Sequence, residues 1–153
     1  MPYKRILVPI DGSEPAKAAL AEAIRIARAT GGELRLLHII EERIVYSVPE
    51  ATILSDQLLA ALREAGDDLL RDAVKQGADA GVAADWVKLE GRARRVSDLI
   101  VEQAGDWSAD LIVMGTHGRR GLDHLLLGSD AELVARGAPV PLLLIRVPKT
   151  TTS

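Results

Sequence analysis

Apolar residues follow two rhythms along this chain. The first is the short unbroken run. "RILVPI" (Arg5–Ile10) reads as a buried strand, and "ELRLLHII" (Glu33–Ile40), Ala83–Leu89, "DLIVM" (Asp110–Met114) and "PLLLIRV" (Pro141–Val147) read as further strands. The second is a helical spacing that fills the gaps. Ala16, Ala19, Leu20, Ala23, Ile24 and Ala27 recur on one face, with Ser13 as N-cap, Pro15 in the first turn and "TGG" as the stop. Leu58, Leu62, Ala65, Leu69 and Ala73 predict the buried face of a long second helix. Val96, Leu99 and Ile100 mark a third, and a fourth ends near Arg136. Residues 1–147 then read as a single domain, and only 148–153, "PKTTTS", as a frayed tail.

The resulting order is βαβαβαβαβ. Strict alternation implies a parallel α/β sheet with helices on both faces and right-handed crossovers. Ligands of such sheets bind beyond the carboxyl ends of the strands, where the strand order reverses. Two loops at that edge have unusual composition. One is "PIDGSE" after the first strand. The other is "MGTHGRRGLDHLLLGSDAE", Met114–Glu132, after the fourth.

Composition narrows the partners. The 153 residues carry a formal net charge of -3 and 3% aromatics, with no Phe. That balance argues against nucleic acid, which calls for a basic field or stacking platforms. With no cysteine there is no thiolate metal site, disulfide or cysteine nucleophile. The first apolar run is too short for a signal-peptide core, and no run approaches the roughly 18 residues of a membrane span. A cytoplasmic location is the expectation.

In the second loop, glycines stand at 115, 118, 121 and 128, and Ser129 follows directly. Glycine lets backbone approach a ligand closely. Ser129-Asp130-Ala131-Glu132 fits a capping box, S-x-x-E, and a helix start presents free amides to an anion. Together these suit a phosphate cradle, while the capping box by itself accounts for Ser129 and Glu132 with no ligand at all. The pattern is neither a Walker A loop nor G-x-G-x-x-G. His117, Asp123, His124 and Ser129 invite a hydrolase reading, but G-x-S-x-G is absent, and adjacent Asp123 and His124 do not face each other on a helix.

The spacing G-x2-G-x9-G-S after a strand reading "DLIVMG", with "ILVPIDGSE", "LRLLHII" and "APVPLLLIR" elsewhere, resembles the ATP-binding type of the universal stress protein family. The likeness runs from Lys4 to Arg146. It implies a Rossmann-like, adenine nucleotide alpha hydrolase-like fold with five parallel strands in the order 3-2-1-4-5. By the same resemblance, Pro9, Asp11 and Ile39 match positions that hold adenine and ribose. Met114 and Gly115 match positions lining ribose and phosphates. Gly118, Gly128 and Ser129 match phosphate-binding positions, and His117 between the glycines is placed for a phosphate-side hydrogen bond. The implied cofactor is ATP, with Mg2+ or Mn2+ held by its phosphates, since the chain offers no cluster of metal ligands. The implied assembly is a homodimer through Val140–Val147 of the last strand.

One position departs from that pattern. The residue after the serine is commonly apolar in the family and is Asp130 here. A carboxylate about 6 Å from a phosphate charge costs on the order of 0.7 kcal/mol in water and ~3 kcal/mol at an effective dielectric of about 20. Arg119 and Arg120 are candidate offsets. Three functions stay open: a nucleotide-dependent stress-response regulator, an adaptor of the same fold acting through its dimer or an unidentified protein partner, and a slow ATPase. For the last, no residue stands out as a general base, and Asp11, His117 and Asp130 are the only nearby candidates, by resemblance of position. "GRARR", Gly91–Arg95, reads as a solvated face or an attractor of phosphate or an acidic partner, so the role of Arg92, Arg94 and Arg95 is left open; His38 reads as a packed or hydrogen-bonded strand histidine rather than a ligand.

Overall fold

A computed structural model of the chain describes residues 2–42, 52–117 and 127–147, and the side chains of 52–54 are not among what it describes. The elements run β1 (Arg5–Pro9), α1 (Glu14–Thr30), β2 (Glu33–Ile40), α2 (Thr52–Asp79), β3 (Ala84–Glu90), α3 (Val96–Asp106), β4 (Leu111–Gly115), α4 (Ser129–Gly137) and β5 (Leu142–Ile145). All strand pairs are parallel, and the sheet order is β3-β2-β1-β4-β5. The expected fold is the observed one. The predicted tail, residues 148–153, lies outside the described residues.

Alternation along the central strands divides the core. Ile6 and Val8 of β1 join Leu34, Leu36 and Val113 under α1 and α2. Leu7 joins Leu37, Ile112 and Met114 under α3 and α4, with Ile100, Ala104 and Val134 from those helices. Both faces are therefore covered, as an all-parallel sheet requires. All six apolar positions expected on α1 are buried, and Ser13 is its N-cap, accepting the Ala16 N–H at 3.3 Å.

α2 keeps part of the expected face, with Ala73 in the core and Leu69 packed against it, and departs from it elsewhere. Leu58 is 38% exposed, and Ala65 is exposed as well. The side turned to the sheet carries Gly66, Leu70, Ala73 and Gly77. The reason is space. A Cβ at Gly66 would lie 2.6 Å from His38 Cδ2, so backbone rather than side chain makes this contact.

The amino ends of the strands are closed by charge and an aromatic ring. The guanidinium carbons of Arg5 and Arg35 lie 4.5 and 4.9 Å from the centroid of the Trp107 ring. Asp110 accepts the backbone N–H groups of Lys4 at 2.8 Å and Arg5 at 3.0 Å. The pair formed with Asp85 raises the Arg35 pKa, so that side chain is a permanent cation. These contacts fasten the end of the sheet opposite the candidate site. Among the described residues, no helix is long and apolar enough to cross a membrane.

Candidate functional site

β1 is bonded to both β2 and β4, which makes the gap between β1 and β4 the switch point. Its register with β2 continues to Pro9↔Leu37, but that with β4 comprises only Ile6↔Leu111 and Leu7↔Ile112. Past Leu7 the two strands part, and a crevice opens.

The loop after β1 is held from within. Asp11 Oδ1 accepts the Ser13 N–H at 2.9 Å and the Ser13 hydroxyl at 2.5 Å. Ser13 Oγ in turn caps α1. On the other side of the crevice, Gly115 ends β4 where the first turn of α1 crosses it. A Cβ there would meet Pro15 Cβ at 2.5 Å and Pro15 C at 2.8 Å.

The second loop leaves and returns at one point. Thr116 donates its N–H to the Ile145 carbonyl of β5 at 3.0 Å, and its own carbonyl accepts the Gly128 N–H at 2.8 Å. The start of α4 is thereby fixed to the end of β4. Gly128 has φ -60, so positive φ is not what selects glycine here. Close approach selects it, since a Cβ would lie 2.8 Å from the Thr116 carbonyl oxygen.

The expected capping box does not form. Gly128, rather than Ser129, is the N-cap of α4, and no side chain caps that end. The Glu132 N–H bonds the Gly128 carbonyl at 3.0 Å, and its carboxylate pairs with Arg136 at 2.8 Å. Tying Gly128 to Thr116 sets the helix start one residue early. Ser129 becomes the first helical residue, its hydroxyl outside the cap.

Both loops border one cavity of about 310 Å³ at the carboxyl ends of the strands. Pro9, Asp11 and Ile39 line it from β1 and β2. Met114, Gly115 and His117 line it from β4 and its continuation, and Gly128, Ser129 and Asp130 from α4. The predicted residues Gly118 and Arg119, with Arg120, Asp123 and His124, lie outside the described residues.

Sequence reasoning missed part of the wall. Leu62 and Ala65, expected in the core, face the cavity instead, and Val96 and Ile100 reach it from α3. The excess of apolar positions on α2 over what the sheet can cover was the available signal. His38, Thr116 and Glu41 also contribute. α2 packs on β2 and β3, so the apolar wall lies toward β2. The β4 side brings the polar groups Thr116, His117, Ser129 and Asp130 beside Met114, Gly115, Gly128 and Ala131. Thr116 Oγ1 and His117 Nδ1 are 3.1 Å apart. An apolar compartment beside a polar one ending at a helix N-terminus suits a ring system carrying an anionic group.

"GRARR" lies apart from that end. It follows β3, an edge strand, and Arg92 to Arg95 are exposed. Arg94 pairs with Glu102 at 2.5 Å, which holds the Glu102 carboxyl below its ordinary pKa. Among the described residues, no group of three or more His, Cys, Asp or Glu is arranged to hold a metal ion.

Comparison with known proteins agrees with the fold. The model of the universal stress protein family matches residues 2–146. A universal stress protein of Methanocaldococcus jannaschii is 36% identical over 148 residues, 96% of this chain and 84% of the relative. The solved structure of hypothetical protein MJ0577 is similar with a TM-score of 0.87 at 29% identity, covering 98% of this chain and 100% of that one. A universal stress protein from Archaeoglobus fulgidus, solved in complex with dAMP, gives a TM-score of 0.66 at 26% identity over 95% of this chain and 100% of its own.

Proposed function

This chain belongs to the universal stress protein family, and from that premise we propose that it binds ATP in the cavity between β1 and β4 and acts as a cytoplasmic, nucleotide-dependent stress-response regulator. One observation carries the reading: two loops more than a hundred residues apart in sequence bring Asp11 and, from the second loop, Gly115, Thr116, His117, Gly128 and Ser129 to the same cavity. The dAMP bound by the Archaeoglobus relative supports an adenine nucleotide. In this reading Pro9, Asp11 and Ile39 hold adenine and ribose, and Met114 and Gly115 line the ribose. His117, Gly118, Gly128 and Ser129 hold phosphates, at the amides opening α4. Any divalent cation is carried by the phosphates. Binding shifts the population of loop conformations and so the surface offered to a partner. Thr116 gives that shift a path, because its backbone is bonded to both α4 and β5.

Protein denatured as purified is expected to release adenine nucleotide into the supernatant, identified by chromatography. Protein that is empty and also ignores added ATP ends this reading and favours the adaptor. ADP with measurable turnover favours the slow ATPase.

Asp130 lines the cavity at its phosphate end and opposes an anion. Asp130→Asn is expected to tighten ATP binding by about threefold to a hundredfold, the range from a water-like dielectric to one of about 20. Unchanged or weaker affinity in calorimetry would refute the repulsion.

The same reading makes β5 the homodimer contact, through Val140–Val147. β5 is an edge strand, its four residues are only half-buried, and Val147 is 37% exposed. Sedimentation as a monomer at micromolar concentration removes this part of the proposal.

A further inference from the structure

We infer that His38 is a positioning residue for the cavity: its Nδ1–H holds the Ile10 carbonyl and so places the Asp11 turn. The inference rests on the nucleotide reading above and adds the residue that sets the geometry of the β1 side.

The ladder between β1 and β2 ends at Pro9↔Leu37. Ile10, one residue further, still donates its N–H to the Leu37 carbonyl at 2.8 Å. Its own carbonyl has left the β4 register, which stops at Leu7↔Ile112. Ile10 is 7% exposed, and a buried carbonyl without a donor is costly. His38 Nδ1 lies 2.8 Å from that oxygen. A carbonyl only accepts, so the proton of this bond is on Nδ1, and the tautomer is fixed.

The ring is gripped from its other side. At Gly66 a Cβ would be 2.6 Å from His38 Cδ2 and 3.0 Å from Nε2. The α2 backbone therefore rests on the ring, and Leu62 and Ala65 of the same helix line the cavity. His38 is 6% exposed and borders the cavity itself. It is the spacer that sets α2 against the end of β1. Asp11 follows Ile10 directly and holds Ser13, the N-cap of α1. Contacts thus run unbroken from α2 through His38 and Ile10 to the Asp11 turn and α1. Moving the Ile10 carbonyl displaces Asp11 relative to Gly115 and Ser129 while the two cores stay packed.

The test is calorimetric titration with ATP of the full chain and of four variants: His38→Leu, His38→Asn, Gly66→Ala, and Gly66→Ala with His38→Asn. Asparagine places an N–H donor at the branch position of Nδ1 and lacks the far edge of the ring. His38→Leu is expected to weaken ATP by roughly ten- to a hundredfold with a cooperative melt. His38→Asn should stay within about threefold of the unmodified chain. Gly66→Ala should weaken ATP when the histidine is present and have little effect when combined with His38→Asn, where nothing remains for the new methyl to strike. Leucine and asparagine variants that bind alike, whether both well or both poorly, overturn the inference. If His38→Leu does not fold, the Gly66 comparison decides: an equal loss with and without His38→Asn is the overturning result. Nitrogen NMR of the imidazole gives a readout independent of nucleotide. A protonated Nδ1 at neutral pH supports the inference, and a bare Nδ1 overturns it. A chain that binds no ATP ends the nucleotide reading, and the imidazole spectrum still judges His38.

Discussion

Gly128→Val is expected to weaken ATP binding by at least about a hundredfold, the loss that a displacement of roughly 1 Å produces in a preorganised site. The added Cβ would sit 2.8 Å from the Thr116 carbonyl oxygen and 3.3 Å from His117 Cα, and both are backbone atoms. Neither can turn aside as a side-chain tip does. α4 must back away from β4, the Gly128 N–H to Thr116 bond is stretched or lost, and the amides that open α4 leave the cavity. The family resemblance predicts that valine at both Gly118 and Gly128 abolishes binding with the fold intact. The structure adds a cost to the fold, on the order of 1–3 kcal/mol for overpacking, read as a Tm lower by several degrees. Ser129→Ala is the control. It removes a hydroxyl that takes no part in capping, and it should melt like the unmodified chain. Binding by Gly128→Val at unaltered affinity would place the phosphate cradle elsewhere.

The succession of strands and helices, and the two loops that border the cavity, were legible in the sequence for one physical reason, whereas the strand order came from the family resemblance. Each central strand is buried on both faces, so its apolar run is unbroken, and the loops beyond the strand ends stand out by contrast. The six buried positions of α1 were legible because a single face meets the sheet. α2 was misread in part because counting apolar residues assumes that side chains make the contact. Gly66 and Gly77 invert that, and Leu62 and Ala65 are left to the cavity. The cap of α4 was misread for a different reason. S-x-x-E is satisfied by local sequence, whereas the helix start is set by a bond from Gly128 to Thr116 across the loop. His38 was legible as a packed or hydrogen-bonded histidine, but its partners were not visible, because Ile10 and Gly66 reach it only through the fold. In each case the missing information was a tertiary contact made by backbone.

That distinction predicts the behaviour of Gly115, which the sequence motif presents as part of the nucleotide signature. The structure gives it a second role that exists without any ligand. Its Cβ would overlap Pro15 Cβ at 2.5 Å and approach the Pro15 carbonyl carbon at 2.8 Å. Gly115 is buried, and the intruding group is directed at the first turn of α1. Gly115→Val is expected to lower stability by about 3 kcal/mol or more, at the upper end of overpacking costs, because the first turn of α1 must lift from β4. ATP binding should fail with it, since that turn follows the Asp11 loop. A purely ligand-facing glycine predicts the reverse: lost binding at unchanged Tm. Trimming the proline separates the two further. Gly115→Ala with Pro15→Gly removes the 2.5 Å side-chain overlap but leaves the 2.8 Å approach to backbone. The double variant should therefore remain less stable than Pro15→Gly alone in urea titration. Equal stability of the two would show that α1 can yield at no cost, and Gly115 would then owe its place to the nucleotide.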